Sequence, residues 1–159
     1  PFFLRTGKCL PLQSSVIVIQ FKKSEHQIFR DDVVPNRLVI SIQPEQEISL
    51  LFESKVPGVQ MKLKAVEMDF MYKESHSEAS PEAYETLLLD VLEGDATLFM
   101  RNDQVEAAWK VVMPIINAWK KSSKGLKTYA AGSWGPAAAT QLLKPFSKEW
   151  ILLPGVKNK

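Results

Sequence analysis

The residues whose types best suit chemistry lie near the start of the chain, where Gly7 and Lys8 stand together. The flanking residues favour strands, so we expect a strand, a tight loop and a second strand, with Gly7 at positive φ and Pro11 ending the first pairing. A lysine ammonium at a strand end is a compact positive charge that suits an anionic ligand. The alternative is a surface lysine in a turn, because a single Gly-Lys pair is much shorter than a complete phosphate-binding motif.

Cys9 and His26 are two further side chains that could take part in chemistry. Cys9 stands beside Lys8 and could be a reactive thiol, but a lone cysteine at a strand edge more often packs as a small hydrophobe. His26 lies in a polar segment, and no second metal ligand or nucleophile is suitably spaced around it. We therefore expect a solvated loop histidine and assign no metal ligand.

The composition is that of an ordinary soluble domain. The 159 residues are 45% hydrophobic and 24% charged, so we expect one domain that buries about two-thirds of its unfolded surface. Twenty basic and eighteen acidic residues give a net charge of +2, which argues against a nucleic-acid or membrane partner. One cysteine and no long apolar run favour a reducing, cytoplasmic setting.

Strands are the first elements that must position Lys8. Residues 16–21 are apolar at nearly every position, which predicts a central strand covered on both faces. Residues 36–43 alternate in polarity and should pair with residues 47–54 as an antiparallel hairpin across a short turn at Pro44. Residues 66–73 have one apolar and one mixed face, as expected of an edge or half-covered strand.

Helices follow from residue 75 onwards. Ser80 and Pro81 are suited to start a helix, and Gly94 is suited to end it. The apolar side chains of this helix recur at helical spacing and predict a buried stripe of Tyr84, Leu87, Leu88, Val91 and Leu92.

A longer helix should open at Asn102 and Asp103, with Glu106 completing a capping box from Asp103. Pro114 should kink this helix, and its tryptophan stripe, which includes Trp109 and Trp119, should lie in the core. A short helix is expected over residues 137–143. The order of strands and then helices predicts an α+β fold, a mostly antiparallel sheet with helices packed on one face.

Seven short sequence strings, some of them in two parts, occur in order along nearly the whole chain. They are Leu4-Arg5-Thr6-Gly7-Lys8; Pro35-Asn36-Arg37-Leu38 with Ile42-Gln43-Pro44; Lys55-Val56-Pro57-Gly58; Pro81-Glu82-Ala83-Tyr84-Glu85 with Leu88-Leu89-Asp90; Gly94-Asp95-Ala96-Thr97-Leu98-Phe99; Ala107-Ala108-Trp109; and Gly132-Ser133-Trp134-Gly135-Pro136. Together they resemble the C-terminal part of bacterial-type glucose-6-phosphate dehydrogenase. One string would be weak, but seven collinear strings with similar separations are hard to obtain by chance.

The resemblance implies an NADP-dependent oxidation of glucose-6-phosphate at C1 to the lactone, the first step of the pentose phosphate pathway. In the family, hydride goes to the nicotinamide while a histidine oriented by a carboxylate removes the hydroxyl proton. The family's Arg-Ile-Asp-His-Tyr-Leu-Gly-Lys stretch and its Gly-rich coenzyme loop do not occur in these 159 residues, and His26 and His76 do not match the base. We assign no catalytic residue here and expect this chain alone to be inactive.

The first residue is Pro1 rather than Met, which favours a piece of a longer protein. On the resemblance, residues 1–159 would be the C-terminal portion of the substrate and dimerisation domain. The alternative is a separately made, non-catalytic binding or assembly module of the same fold.

The resemblance carries two substrate-binding residues onto this chain. Lys8 matches the lysine of the family's Arg-x-Gly-Lys loop, and Gln43 matches the glutamine before the proline that ends the Ile-Gln-Pro strand; both contact the sugar phosphate in relatives. A cation suits a phosphate monoester, and an amide can donate to and accept from hydroxyl groups. The chain departs from the family at Gln13, where a second Lys or Arg commonly faces the substrate, and that departure weakens the expectation of tight phosphate binding.

The resemblance also bears on cofactor and assembly. Animal members hold a second, structural NADP in this region, and Arg5 and Asp69 match two of its contacts. Other positions lack the basic or aromatic residues of that site: Ser14, Val18, Ser41, Ser49 and Leu51. We therefore expect no cofactor on this chain. The family's sheet makes the dimer contact, so we expect a homodimer through the sheet.

Overall fold

Four antiparallel strands form the sheet of the computed structural model, which describes residues 1–23, 33–75, 83–122 and 124–151. The strands are β1 (Ser15–Gln20), β2 (Arg37–Gln43), β3 (Glu47–Lys55) and β4 (Leu63–Met71). They lie side by side in chain order, so each is hydrogen-bonded to the strand that precedes or follows it. This topology confirms the expected β2–β3 hairpin and the edge position of β4.

The position of β1 differs from the prediction. In the described sheet, β1 is an edge strand that pairs with β2 alone, and Ile17 and Ile19 are 49% and 44% exposed. The prediction of a central strand was wrong because an apolar run shows that both faces suit burial, but it does not show which strands flank it. The segment from Phe2 to the Gly7 loop, expected to form another strand, is irregular in the structure.

The strand register separates two faces of the sheet, because residues directly opposite each other share a face. One face, which we call the open face, is apolar across all four strands except at one end, where Ser54 lies opposite Lys64. Its apolar members are Ile17, Ile19, Leu38, Ile40, Ile42, Ile48, Leu50, Phe52, Val66, Met68 and Phe70. The most exposed of these apolar residues is Met68, at 59%.

The opposite face, the covered face, holds the most buried side chains of the sheet. Val39, Ser41 and Ser49 lie there at 8%, 7% and 2% exposure. The Ser41 hydroxyl meets its hydrogen-bonding need by donating to the Glu45 carbonyl oxygen at 2.7 Å, across the β2–β3 turn. Within the described chain, the face with two serines is therefore the better protected one.

The helices are α1 (Tyr72–Ser75), α2 (Ala83–Glu93), α3 (Asn102–Lys121) and α4 (Ala137–Gln141), followed by a 3-10 helix at Lys144–Phe146. Together with the antiparallel sheet they confirm the α+β class. The described residues divide into two compact units, one with the sheet, α1 and α4, and one with α2 and α3. Packing of these helices on one face of the sheet stays a prediction.

The end of α2 follows the sequence signal at Gly94. This glycine adopts φ 74° and its N–H donates to the Val91 carbonyl at 3.4 Å, while the Asp95 N–H donates to the Asp90 carbonyl at 2.9 Å. Both bonds belong to a Schellman motif, which satisfies carbonyls that the helix leaves free. The proposed start at Ser80 and Pro81 lies outside the described residues, as do His26 and His76.

The helix α3 begins at Asn102 as expected, but its N-cap lies two residues before the expected Asp103. Arg101 is the N-cap, and its backbone N–H donates to the Gln104 side-chain oxygen at 3.3 Å. Gln104 thus has the reciprocal role that the sequence suggested for Glu106. The helix continues through Pro114.

The apolar stripes of α2 and α3 are not core in this chain. Tyr84 and Leu92 are 78% and 84% exposed, and Trp109 and Trp119 are 52% and 72% exposed. The periodicity placed these side chains on helices, but the prediction that they are buried was wrong. Burial needs a covering partner, and periodicity does not supply one.

Candidate functional site

Lys8 lies in an irregular loop that leads into β1, and its side chain is exposed. The backbone at this position is held from the other end of the sequence. The Tyr129 hydroxyl donates a hydrogen bond of 2.6 Å to the Lys8 carbonyl oxygen, across a separation of 121 residues. The loop is not part of a strand, and the hydrogen bond from Tyr129 therefore holds its backbone in place.

Gly7 is needed for space rather than for a left-handed backbone. It is absent from the glycines with positive φ; Cys9 adopts the left-handed conformation instead, at φ 53°. A Cβ atom added to Gly7 would lie 2.9 Å from the Tyr129 hydroxyl oxygen, closer than carbon and oxygen normally approach. The expected positive φ at Gly7 was wrong, because the constraint is a close approach from Tyr129.

A second backbone bond fixes the residue after Lys8. The Gly132 N–H donates to the Cys9 carbonyl oxygen at 2.8 Å. Gly132 itself has φ 78°, a conformation that glycine adopts without a Cβ penalty. Two successive carbonyls, those of Lys8 and Cys9, are thus held by residues 129–132.

Arg5 secures the same loop by its side chain. Its guanidinium carbon lies 5.0 Å from the Trp134 ring centroid and 4.8 Å from a ring centroid of Trp150, both within cation–π range. Partial burial against these rings lowers the pKa of Arg5 from its usual value, because desolvation disfavours the charged form. Trp150 is itself fixed by a 2.8 Å hydrogen bond from its indole N–H to the Ala139 carbonyl.

An aromatic pair completes the contact between the two chain ends. The rings of Phe3 and Phe146 meet edge to face, with centroids 5.0 Å apart. Residues 3–9 therefore contact residues 129–150 through aromatic, cation–π and hydrogen-bonding interactions. We call this set of contacts the terminal clamp.

Gln43 ends β2 and is exposed, and its peptide bond to Pro44 is cis. It pairs with Ser15, the first residue of β1, where the register is irregular. The loop that carries Lys8 leads into this same start of β1. Gln43 and the approach to β1, including exposed Gln13, thus lie at one end of the sheet.

The structure gives no support for a chemical role of the other candidate residues, Cys9 and His26. Cys9 is an exposed free cysteine, and His26 lies outside the described residues. Among the residues that the structure describes, no three His, Cys, Asp or Glu side chains group as metal ligands would. In the same part of the chain, no helix is both long and apolar enough to cross a membrane.

Sequence reasoning did not find the importance of Tyr129, Trp134 and Trp150. The Gly-Ser-Trp-Gly-Pro string at residues 132–136 did signal a loop. No local pattern links that loop to residues 5–9, because the contact joins opposite ends of the chain.

Comparison with known proteins addresses the family. Residues 1–151 match the family model described as the C-terminal domain of glucose-6-phosphate dehydrogenase. The chain belongs to this family. The resemblance found in the seven sequence strings is therefore confirmed.

Several relatives carry the same name. The chain is 45% identical over 159 residues to a glucose-6-phosphate 1-dehydrogenase of Aggregatibacter actinomycetemcomitans, covering 100% of this chain and 32% of the relative. It is 43% identical to one of Mycolicibacterium smegmatis, covering 94% and 31%. The chain thus spans about a third of the length of the curated relatives that it matches.

Solved structures agree with the fold. A glucose-6-phosphate dehydrogenase in complex with its substrate glucose-6-phosphate superposes with a TM-score of 0.78 at 32% identity, covering 92% of this chain and 30% of that one. The glucose-6-phosphate 1-dehydrogenase of Mycobacterium avium gives a TM-score of 0.67 at 26% identity.

The terminal clamp can be tested by removing the Arg5 charge. We expect Arg5→Gln to lower the free energy of unfolding by about 1–2 kcal/mol, because two cation–π contacts at a partly buried site are lost. The change should also shift tryptophan fluorescence, since Trp134 and Trp150 lose their cation. Urea denaturation followed by fluorescence measures both effects.

Arg101→Gln is the matched control. Arg101 pairs with Asp103 at 2.8 Å, but the two side chains are 77% and 65% exposed. Its loss should therefore cost no more than about 0.5 kcal/mol. Equal destabilisation by the two substitutions would contradict the clamp.

Proposed function

We propose that this chain supplies part of the sugar-phosphate site of a glucose-6-phosphate dehydrogenase, an oxidoreductase that converts glucose-6-phosphate to 6-phosphogluconolactone with NADP. The observation that carries the proposal is the exposed Lys8 side chain on a loop whose backbone is anchored by Tyr129. Family membership and the substrate-bound relative support the choice of glucose-6-phosphate as the ligand. The proposal includes a cytoplasmic location for the protein.

Lys8 and Gln43 have complementary chemical roles in the proposed site. Within the described residues, no hydrogen bond or ion pair engages the Lys8 ammonium, so its charge is available to a phosphate. The ammonium would bind the phosphate oxygens by charge-assisted hydrogen bonds. The Gln43 amide would donate to one sugar hydroxyl and accept from another.

Catalysis would need residues that these 159 do not include. A nicotinamide coenzyme takes the hydride in this reaction class, but no Gly-x-Gly-x-x-Gly string occurs in the sequence. Arg5, which matches a contact of the structural NADP in animal relatives, has its guanidinium over Trp134 and Trp150. We propose that this chain alone binds no nicotinamide coenzyme and is inactive.

Self-association through the sheet is the second part of the proposal. Apart from Ser54 and Lys64 at one end, the open face is apolar on all four strands, and several of its side chains remain half exposed, including Ile17 and Met68. Exposed apolar patches of this extent are uncommon on monomeric proteins. A second copy of the chain, presenting the same surface, would bury it in a homodimer.

The site is tested by titrating the chain with glucose-6-phosphate and following amide NMR shifts. We expect saturable shifts around Lys8 and Gln43, and a loss of affinity of at least about tenfold in Lys8→Ala, because a charge-assisted bond to phosphate is removed. Gln13→Lys should instead strengthen binding, since it restores a cation at a position where relatives commonly have one.

Lys64→Ala provides the matched control, because Lys64 is an exposed lysine of β4 placed opposite Ser54, away from Gln43. It should bind the sugar phosphate like the unchanged chain. If Lys8→Ala and Lys64→Ala bind equally well, Lys8 does not hold the phosphate.

The dimer is tested by sedimentation at high micromolar concentration. We expect Met68→Lys to weaken association by at least about tenfold, because an unpaired ammonium would be buried in the interface. Val59→Lys is the control, since Val59 is fully exposed in the β3–β4 turn and lies outside the open face. A monomeric unchanged chain would contradict self-association.

A further inference from the structure

We propose that Tyr129 is a positioning residue for the phosphate-binding lysine, acting through its hydroxyl group on the backbone of Lys8. The inference rests on the proposed function, because it assumes that Lys8 binds the phosphate of glucose-6-phosphate. It adds a residue that lies 121 positions away in the sequence and that the ligand need not touch.

The geometry of the bond is the first argument. The Tyr129 hydroxyl donates to the Lys8 carbonyl at 2.6 Å, and the Gly132 N–H donates to the next carbonyl, that of Cys9, at 2.8 Å. The first bond holds the peptide that joins Lys8 to Cys9, and the second holds the peptide that joins Cys9 to Leu10. They thereby fix the direction in which the Lys8 side chain leaves the loop.

The fit around the hydroxyl is the second argument. The position of a Cβ on Gly7 is only 2.9 Å from the Tyr129 oxygen, so the hydroxyl occupies space that a larger residue would need. The hydroxyl thus bonds to the Lys8 carbonyl and also fills the space where a side chain at position 7 would begin. Its position and the backbone of this loop constrain each other.

The energetic consequence concerns preorganisation. Binding a phosphate through a mobile lysine loop costs entropy, because the backbone must be ordered together with the long side chain. A loop already fixed by Tyr129 avoids the backbone part of that cost. Removing the hydroxyl should therefore weaken ligand binding while Tyr129 keeps its ring and the chain keeps its fold.

The test compares Tyr129→Phe with the unchanged chain in the titration with glucose-6-phosphate. We expect the dissociation constant to rise by about threefold to tenfold, the effect of losing one hydrogen bond that orders the site. Tyr84→Phe removes a hydroxyl elsewhere, in α2, where Tyr84 is 78% exposed, and should leave the dissociation constant unchanged.

A double substitution separates positioning from general loss of structure. Gly7→Ala alone should weaken binding, because the new methyl group meets the Tyr129 hydroxyl. Added to Tyr129→Phe, the same change should weaken binding much less, since the obstructing oxygen is gone. If Tyr129 only stabilised the fold, the coupling would appear in the free energy of unfolding, and the dissociation constant of the folded chain would stay unchanged.

The outcomes distinguish the inference from the proposed function. Full affinity in Tyr129→Phe, beside a clear loss in Lys8→Ala, would overturn the positioning role and leave the phosphate site standing. Independent effects of Gly7→Ala and Tyr129→Phe would also overturn it. No saturable shift in the unchanged chain would overturn both the site and the role of Tyr129.

Discussion

The terminal clamp is the interaction on which the rest of the candidate site depends. Residues 3–9 form no regular structure, so their conformation comes from what they touch. Arg5 contacts Trp134 and Trp150, while the carbonyls after it bond to Tyr129 and Gly132. Because this segment leads directly into β1, the clamp also sets where Lys8 lies relative to the strand end that pairs with Gln43.

The two faces of the sheet differ in polarity and in burial. The covered face buries Ser41 and Ser49, and the Ser41 hydroxyl has a carbonyl partner there. The open face is apolar except for Ser54 and Lys64 at one end, and it remains half exposed. The chain spans about a third of its relatives' length. The exposed apolar side chains of the sheet and of α2 and α3 form surfaces that suit further contacts.

Sequence patterns predicted those structural features that depend on residues close together in the chain. The β2–β3 hairpin followed from alternation and Pro44, and the end of α2 followed from Gly94, whose φ of 74° only glycine adopts freely. The reason for Gly7 could not be predicted in this way, because it depends on the Tyr129 hydroxyl, which approaches from the other end of the chain. The edge position of β1 and the exposure of Trp119 depend on neighbours, which periodicity does not identify.

Amide hydrogen exchange at Gly132 tests the clamp most directly, because this N–H donates to the Cys9 carbonyl and joins the two chain ends. We expect this amide to exchange on the order of a hundredfold or more slowly than in the unfolded chain. Exchange at the unfolded rate, while the amide of buried Ser49 in β3 stays protected, would show that the sheet forms without the clamp and would contradict the account.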